Sequence, residues 1–180
     1  MEKALESNYI YRGKILNLRV DTLRLPSGRL TKREIVEHEP CVAVVALDSA
    51  GNVLLVRQPR EAVGKQLLEI PAGKIEPGES PRECLERELQ EETGYSPGEV
   101  EELGGFYTSP GFCSEYIHIY LAKDLRPSGQ GPDPDEISEL VRLPLKKMPE
   151  LIASGEICDA KSIAGLLWTI WRLRERGEDV

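Results

Sequence analysis

Apolar and polar positions are distributed along the chain in patterns that predict both strands and helices. Residues 41–47 are apolar throughout, which is typical of a strand buried on both faces of a sheet. In residues 116–122, Ile and Leu alternate with Tyr and His, as expected for a strand with two unlike faces. Further strands are predicted from short runs of this kind at 53–57, 67–70, 99–107 and 139–143. A mobile loop is predicted at 126–134, which is rich in Pro and Gly.

Two helices are predicted near the end of the chain. The shorter covers residues 149–154, and the longer begins after Asp159, whose carboxylate can cap its first turn. Four apolar side chains of the longer helix repeat at helical spacing and are expected to face the core: Ile163, Leu166, Leu167 and Ile170. On the same helix, Trp168 and Trp171 are interpreted as packing residues.

The first part of the chain predicts an antiparallel hairpin, with strands at 15–25 and 30–38 joined by a Pro-Ser-Gly-Arg turn. We expect residues 1–38 to form this hairpin, and residues 39–180 to form the main domain. Strands and helices intermingle along that domain, so its expected fold class is α/β. The expected architecture is a mixed sheet with helices on both sides, an α/β/α sandwich.

A loop followed by a helix is predicted in the middle of the chain. Residues 71–79 are punctuated by Pro and Gly, and such a loop can turn backbone groups toward a metal ion and let a phosphate approach closely. Ser80 and Glu83 form a capping-box pattern around a proline, which is typical of a helix start. Gly94 is typical of a helix end. The predicted helix therefore covers residues 81–93.

Three glutamates on this helix are candidate metal ligands. Glu88, Glu91 and Glu92 stand at i, i+3 and i+4, which places their carboxylates on one helix face. Like charges that close repel one another unless a cation lies among them, and hard oxygen ligands suit Mg²⁺ or Mn²⁺ better than zinc. The alternative is a solvated acidic face on which Arg87 pairs with Glu83 or Glu91. The complete loop and helix pattern favours the metal site.

Composition narrows the class of protein. A length of 180 residues is enough for one domain with a substantial core. A net charge of -8 and a pI near 5.0 disfavour nucleic-acid binding, which needs a basic face. No apolar run approaches the roughly 20 residues of a membrane span, and no signal-peptide pattern opens the chain. Four scattered cysteines and only two histidines argue against a zinc site and favour reduced thiols in a cytoplasmic protein.

The segment at 73–95, called the signature segment below, reads Gly-x5-Glu-x7-Arg-Glu-Leu-x-Glu-Glu-x-Gly-Tyr. It resembles the signature of the Nudix hydrolases, enzymes that cleave nucleoside diphosphates linked to another group. Outside it, the chain resembles the ADP-ribose pyrophosphatase branch of that family, through Pro110 after the signature segment and through motifs at 33–38, 57–60, 67–73, 135–139 and 143–145. The resemblance covers about residues 10–150.

The resemblance implies a role for individual residues. Its metal ligands would be the carbonyl of Ala72 and the carboxylates of Glu88, Glu91 and Glu92. The residues that support the site would be Gly73, Glu79 and Arg87. A glutamate on the loop before the last strand would be the catalytic base or its positioner; Glu136 aligns best, Glu139 also fits, and Glu91 is the third catalytic candidate. The candidate substrate contacts are Arg57, Arg60, Pro110 and Gly111, with a surface salt bridge as the alternative for each arginine.

The implied function is metal-dependent hydrolysis of ADP-ribose to AMP and ribose 5-phosphate, with Mg²⁺ or else Mn²⁺. One alternative is another Nudix substrate, such as the sugar nucleotide GDP-mannose or a dinucleotide coenzyme. A second alternative is a non-catalytic domain that senses a nucleotide. The branch also implies a homodimer in which the N-terminal hairpin reaches the partner subunit, and neither nucleic acid nor a membrane is an expected partner.

Overall fold

A computed structural model describes residues 4–129 and 139–178 of the chain. The strands in these ranges are β1 (Ala4–Arg12), β2 (Leu16–Arg24), β3 (Leu30–His38), β4 (Cys41–Leu47), β5 (Asn52–Arg60), β6 (Lys65–Glu69), β7 (Ala72–Lys74), β8 (Tyr95–Ser96), β9 (Glu99–Tyr107), β10 (Tyr116–Lys123), β11 (Arg126–Pro127) and β12 (Glu139–Pro144). The helices are α1 (Pro81–Thr93), α2 (Met148–Ser154) and α3 (Ala160–Glu175), with single 3₁₀ turns at Glu61–Val63 and Leu145–Lys147.

The chain divides into two compact units. The first combines Met1–Pro40 with Phe106–Ile117, and the second combines Cys41–Gly105 with the chain from His118 onward. The predicted boundary between residues 38 and 39 stays a prediction, because a division by contacts does not establish which part folds on its own.

The first unit contains an antiparallel sheet in the order β1-β2-β3. The predicted hairpin is its β2–β3 pair, in which Leu16 lies opposite His38 and Arg24 lies opposite Leu30. The sequence did not predict β1, whose residues are mostly exposed and whose pairing with β2 is interrupted by two register shifts. Such a strand lacks the regular alternation that makes a strand visible in a sequence.

The second unit contains a mixed sheet in the order β12-β5-β4-β10-β9, with β6 paired to β5 and β7 paired to β4. The central strand β4 is buried on both faces, as its apolar run predicts. Val44 belongs to the apolar cluster that contains Leu85 and Leu89 of α1. Its neighbour Val45 instead faces Gly165 of α3. Adjacent strand residues point to opposite faces, so α1 and α3 cover opposite sides of the sheet, and the α/β/α sandwich is confirmed.

The face that α3 turns to the core differs from the prediction at Leu167, which is 46% exposed. The residues that the helix buries are Ser162, Gly165, Leu166, Thr169, Ile170 and Leu173. Gly165 explains the difference. A Cβ at this position would lie 3.0 Å from Ile70 Cδ1 and 3.3 Å from Val45 Cγ2, so the sheet meets the helix at its smallest residue rather than at a leucine. Trp168 packs beside Gly104, as predicted. Trp171 is 51% exposed, so about half of its surface does not pack against the protein.

The predicted loop at 126–134 is wrong at its first residues. Arg126–Pro127 forms the short strand β11, which pairs antiparallel with Tyr95–Ser96. The amide of Ser128 also donates to the carbonyl of Gly94 at 2.9 Å. A partner this distant in the sequence leaves no local signal. The rest of the predicted loop, from residue 130 to 134, lies outside the described residues.

Candidate metal and hydrolysis site

The helix that carries the candidate ligands begins and ends where its capping residues predict. The Ser80 hydroxyl accepts a hydrogen bond from the Glu83 amide at 3.3 Å, and the Glu83 carboxylate accepts one from the Ser80 amide at 2.8 Å. At the other end Gly94 adopts φ 77°, and its amide donates to the Gln90 carbonyl at 2.8 Å. These caps set the helix register and therefore the direction of each glutamate.

Arg87 ties the acidic residues of the signature segment together. Its Nε and Nη2 donate to the two carboxylate oxygens of Glu79 at 2.9 and 3.0 Å. Its Nη1 donates to Glu88 at 2.8 Å and to Glu91 at 3.0 Å. The i,i+4 pairing that the sequence left open as an alternative is therefore present for Glu91 and coexists with the glutamate cluster. Arg87 also reaches backbone, because Nη2 donates to the Lys74 carbonyl at 3.2 Å and so joins the helix to β7.

The charges of this network reinforce one another. The Arg87 hydrogen bonds hold the pKa of Glu79 at about 2, against an ordinary value of 4.5. In return, the hydrogen bonds that Arg87 donates to Glu79, Glu88 and Glu91 raise the pKa of Arg87 above its usual range. Both groups are therefore ionised at neutral pH, and the guanidinium holds three carboxylates at fixed positions.

Glu88 lies directly over Gly73. A Cβ at position 73 would stand 1.8 Å from both Cδ and Oε1 of Glu88, which no side chain can satisfy. Gly73 lies in β7, and the helix and the strand can approach this closely only because position 73 lacks a side chain. The glycine at the start of the signature segment is therefore needed to leave room for the glutamate fifteen positions later.

Glu92 is the buried member of the cluster, with 4% of its surface exposed. One carboxylate oxygen accepts a hydrogen bond from Gln58 Nε2 at 2.5 Å, and the other accepts one from the Ala72 amide at 3.0 Å. Burial raises the pKa of Glu92 to about 7, because two neutral donors compensate only part of the lost hydration. The ionised form would gain from a nearby cation.

These residues fit a divalent metal ion. Glu88, which lies over Gly73, and Glu92, which accepts from the Ala72 amide, bring two carboxylates to the junction of β7 and α1. Carboxylate oxygen is the ligand type that Mg²⁺ and Mn²⁺ prefer. The space above Gly73 admits the Glu88 carboxylate, and the burial of Glu92 favours a cation as counter-charge. Ala72, whose carbonyl is the fourth candidate ligand, lies opposite Ala43 of β4, so the sheet fixes its position.

The candidate substrate arginines both form ion pairs within the protein. Arg57 Nε lies 3.1 Å from Glu139 Oε2, across the β5–β12 ladder in which these two residues are opposite each other. Arg60 makes two hydrogen bonds to the buried Glu69, at 2.9 and 2.5 Å, yet keeps 42% of its side chain exposed. The salt-bridge alternative is therefore present for both, and neither pair uses all the N–H groups of its guanidinium.

The remaining candidates lie elsewhere or outside the described residues. Glu136, the first choice for the base, falls in the undescribed range. Pro110 and Gly111 are exposed on a turn of the first unit. That turn is attached to β3 through Val36, whose amide donates to the Phe112 carbonyl at 2.7 Å. The roles of these residues stay predictions.

Two residues that contact a candidate site residue or its partner were not predicted from the sequence. Gln58 lies in a motif that signals the branch, but nothing local indicates that its amide would hold Glu92. Lys161 contacts Glu69 from a helix 92 positions away in sequence. No spacing rule reaches across such a distance.

Comparison with known proteins gives a consistent set of relatives. A family model described as the NUDIX domain matches residues 37–166, and one described as the nucleoside diphosphate sugar hydrolase N-terminal domain matches residues 2–36. A protein of Bacillus methanolicus named methanol dehydrogenase activator is 42% identical, over 90% of this chain and 89% of its own length. A protein of Bacillus subtilis named ADP-ribose pyrophosphatase is 40% identical, over 89% of this chain and 88% of its own. A crystal structure of an ADP compounds hydrolase superposes with a TM-score of 0.87 at 24% identity, covering 99% of this chain and 97% of that one.

Proposed function

Because this chain belongs to the NUDIX domain family of hydrolases, we propose that it cleaves the diphosphate of ADP-ribose to give AMP and ribose 5-phosphate. The observation that carries the substrate assignment is the 40% identity, along nearly the whole chain, with a protein named ADP-ribose pyrophosphatase. The match of the N-terminal segment to a nucleoside diphosphate sugar hydrolase module supports the same chemical class, since ADP-ribose is a sugar linked to a nucleoside diphosphate.

Nudix hydrolases generally need a divalent metal ion. We assign this role to Mg²⁺, with Mn²⁺ as the alternative, and the residues that would hold it are Glu88, Glu91, Glu92 and the carbonyl of Ala72. When bound, such an ion neutralises diphosphate charge and lowers the pKa of a coordinated water.

The protein itself supplies fixed positions. Arg87 holds Glu88 and Glu91, while Gln58 and the Ala72 amide hold the two oxygens of Glu92. Carboxylates held in this way need little reorganisation when the substrate arrives, and this preorganisation is a main source of catalytic rate. The proton of the attacking water would pass to the glutamate expected on the loop before the last strand, with Glu136 as first choice and Glu139 as second.

The substrate diphosphate carries negative charge into an acidic protein, so cations of the chain must also contribute. Arg57 and Arg60 remain the best candidates among the described residues. Each is oriented by a carboxylate through part of its guanidinium, which leaves other N–H groups for a phosphate or a ribose hydroxyl.

Product analysis tests this proposal. Purified protein is incubated with Mg²⁺ and, in separate reactions, with ADP-ribose, GDP-mannose and a dinucleotide coenzyme. We expect AMP and ribose 5-phosphate from ADP-ribose at the highest kcat/KM. A higher value with another compound would replace the substrate while keeping the hydrolase, and nucleotide binding without turnover of any compound would favour the sensor.

We also propose that the protein is a homodimer that pairs through its first unit. That unit exposes several large apolar side chains, which a monomer would leave in water: Leu5, Ile10, Tyr11, Ile15 and Leu30. Sedimentation should give about twice the 20.1 kDa of one chain. Replacing Ile10 and Tyr11 by Ser should shift the protein toward monomer, and a wild-type monomer would refute the proposal.

Location in the cytoplasm is a proposal as well. No helix among the described residues is long and apolar enough to cross a membrane. The described cysteines form no disulfide, which agrees with a reducing compartment.

A further inference from the structure

Four charged side chains form a cluster in the second unit that lies outside the signature segment. Glu69 of β6 is at its centre and has 1% of its surface exposed. Arg60 of β5 donates to both of its carboxylate oxygens, at 2.9 and 2.5 Å. Lys161 of α3 also donates to Glu69, and to Asp159 at 2.9 Å. Asp159 is the N-cap of α3, where its carboxylate accepts from the Ser162 amide at 3.1 Å. We call these four residues the Glu69 cluster.

The Glu69 cluster contains two positive and two negative charges, so it is electrically balanced. Burial alone would raise the pKa of Glu69, but the hydrogen bonds and charges of Arg60 and Lys161 outweigh burial, and the net pKa is lowered. A buried ion is tolerated only while its partners stay in place. The cluster therefore holds the first turn of α3 against the end of β6.

A second set of contacts joins the same helix to the next residue of the chain. The Ile70 amide donates to the Ser162 hydroxyl at 2.9 Å, and both residues are fully buried. One turn further along α3, Gly165 leaves room for the Ile70 side chain, whose Cδ1 would lie 3.0 Å from a Cβ at that position. Two consecutive residues, Glu69 and Ile70, are thus held by α3 through an ion pair, a hydrogen bond and close packing.

Only Pro71 separates Glu69 and Ile70 from β7, the strand that carries the candidate ligand Ala72. Proline restricts its own φ, and the Pro71 carbonyl accepts from the Val44 amide at 2.9 Å. Next come Ala72, whose amide holds Glu92, and Gly73, which lies under Glu88. A shift of Glu69 or Ile70 would therefore move the backbone that orients two candidate ligands.

We propose that Lys161 and Ser162 are positioning residues for the hydrolysis site, acting from α3 through Glu69 and Ile70. The inference rests on the proposed function, because it assumes that Glu88 and Glu92 hold the metal. Neither α3 residue bonds to those carboxylates in the described contacts. The Lys161 charge also acts on Glu92 from a distance, but the positioning effect passes through the β6–β7 backbone.

Substitutions at Lys161 separate positioning from simple stabilisation. Lys161→Met keeps the length of the side chain but removes its charge, and Lys161→Arg keeps the charge. Lys146→Met, on the exposed Leu145–Lys147 turn, is the matched control. With ADP-ribose we expect Lys161→Met to lower kcat about tenfold or more while KM changes less than about twofold, since displaced ligands slow the chemical step. Lys161→Arg should recover most of the loss, and the control should match wild type.

Other outcomes would overturn the inference. A lower melting temperature with unchanged kcat would mean that Lys161 only stabilises the fold. A higher KM with unchanged kcat would mean that Lys161 contacts the substrate directly.

A measurement without substrate keeps this test independent of the proposed function. Metal-free protein is titrated with Mn²⁺ and the heat of binding is recorded for wild type, Lys161→Met and Ser162→Ala. We expect both variants to bind Mn²⁺ about tenfold more weakly, as for other residues that orient metal ligands. Equal affinities would refute positioning even if the enzyme proved to prefer another substrate. Failure of wild type to cleave ADP-ribose, with weakened Mn²⁺ binding in the variants, would refute only the substrate assignment.

Discussion

Glu88 and Gly73 occupy adjoining space so tightly that the Glu88 carboxylate stands where a side chain at position 73 would begin, 1.8 Å from an ideal Cβ. We therefore expect Gly73→Ala to displace the carboxylate and to lower kcat/KM about hundredfold, since small displacements at a reacting centre are costly. Steady-state rates with ADP-ribose measure the effect. Activity within about twofold of wild type would show that the Glu88 position is not needed for turnover.

A double variant tests the cause of that loss. If the clash is with Glu88, Gly73→Ala should lower the melting temperature in wild type but much less in a Glu88→Ala background. Residues in contact show such non-additivity, whereas distant ones do not. Equal decreases in both backgrounds would mean that the alanine disturbs the β4–β7 ladder instead.

Glu92→Gln should abolish turnover while the fold stays intact. The carboxylate accepts from two donors, Gln58 Nε2 and the Ala72 amide, and a glutamine offers a single acceptor oxygen and no negative charge for a metal. We expect a loss of at least about hundredfold in kcat with an unchanged circular dichroism spectrum. Glu86→Gln is the control, because Glu86 lies on the same helix and pairs only with Arg82 in the described contacts. Near-normal activity of Glu92→Gln would remove Glu92 from the metal site.

Arg87→Lys tests whether the guanidinium orients the glutamates or merely balances their charge. Arg87 contacts Glu79 through two nitrogens and Glu88 and Glu91 through a third, a geometry that an ammonium group cannot reproduce. We expect kcat to fall about tenfold or more while metal-dependent activity remains measurable. Arg82→Lys, on an exposed pair of the same helix, should have no effect. Equal rates for Arg87→Lys and wild type would reduce the role of Arg87 to charge balance.

The sequence predicts the signature helix well because its boundaries depend on residues close together in the chain. Ser80, Glu83 and Gly94 form their caps within the helix itself, and the three glutamates follow from helical spacing. By contrast, the core-facing side of α3 depends on Gly165 meeting Val45 and Ile70, so the apolar stripe alone misplaced Leu167.

The contacts between α3 and the end of β6 could not be predicted from the sequence, for the same physical reason. Lys161 is 92 positions from Glu69, and Ser162 is equally far from Ile70. A buried polar residue becomes meaningful only when its partner is known, and in these cases the partner is supplied by the folded sheet.

The raised pKa of Glu92 predicts how the stability of the metal-free protein depends on pH. Burial raises this pKa to about 7 from an ordinary 4.5, so between these values the native state holds a proton that the unfolded state has released. Stability should therefore decrease as pH rises through this window, because the buried carboxylate becomes charged above it. Glutamine does not ionise, so Glu92→Gln lacks this contribution. With a metal chelator present, we expect the melting temperature of wild type to fall relative to that of Glu92→Gln as the pH rises from about 5 to about 7.5. Thermal unfolding of both proteins across this range measures the difference, with Glu86→Gln as the control variant on the same helix. A constant difference for Glu92→Gln would show that the buried carboxylate titrates at its ordinary value.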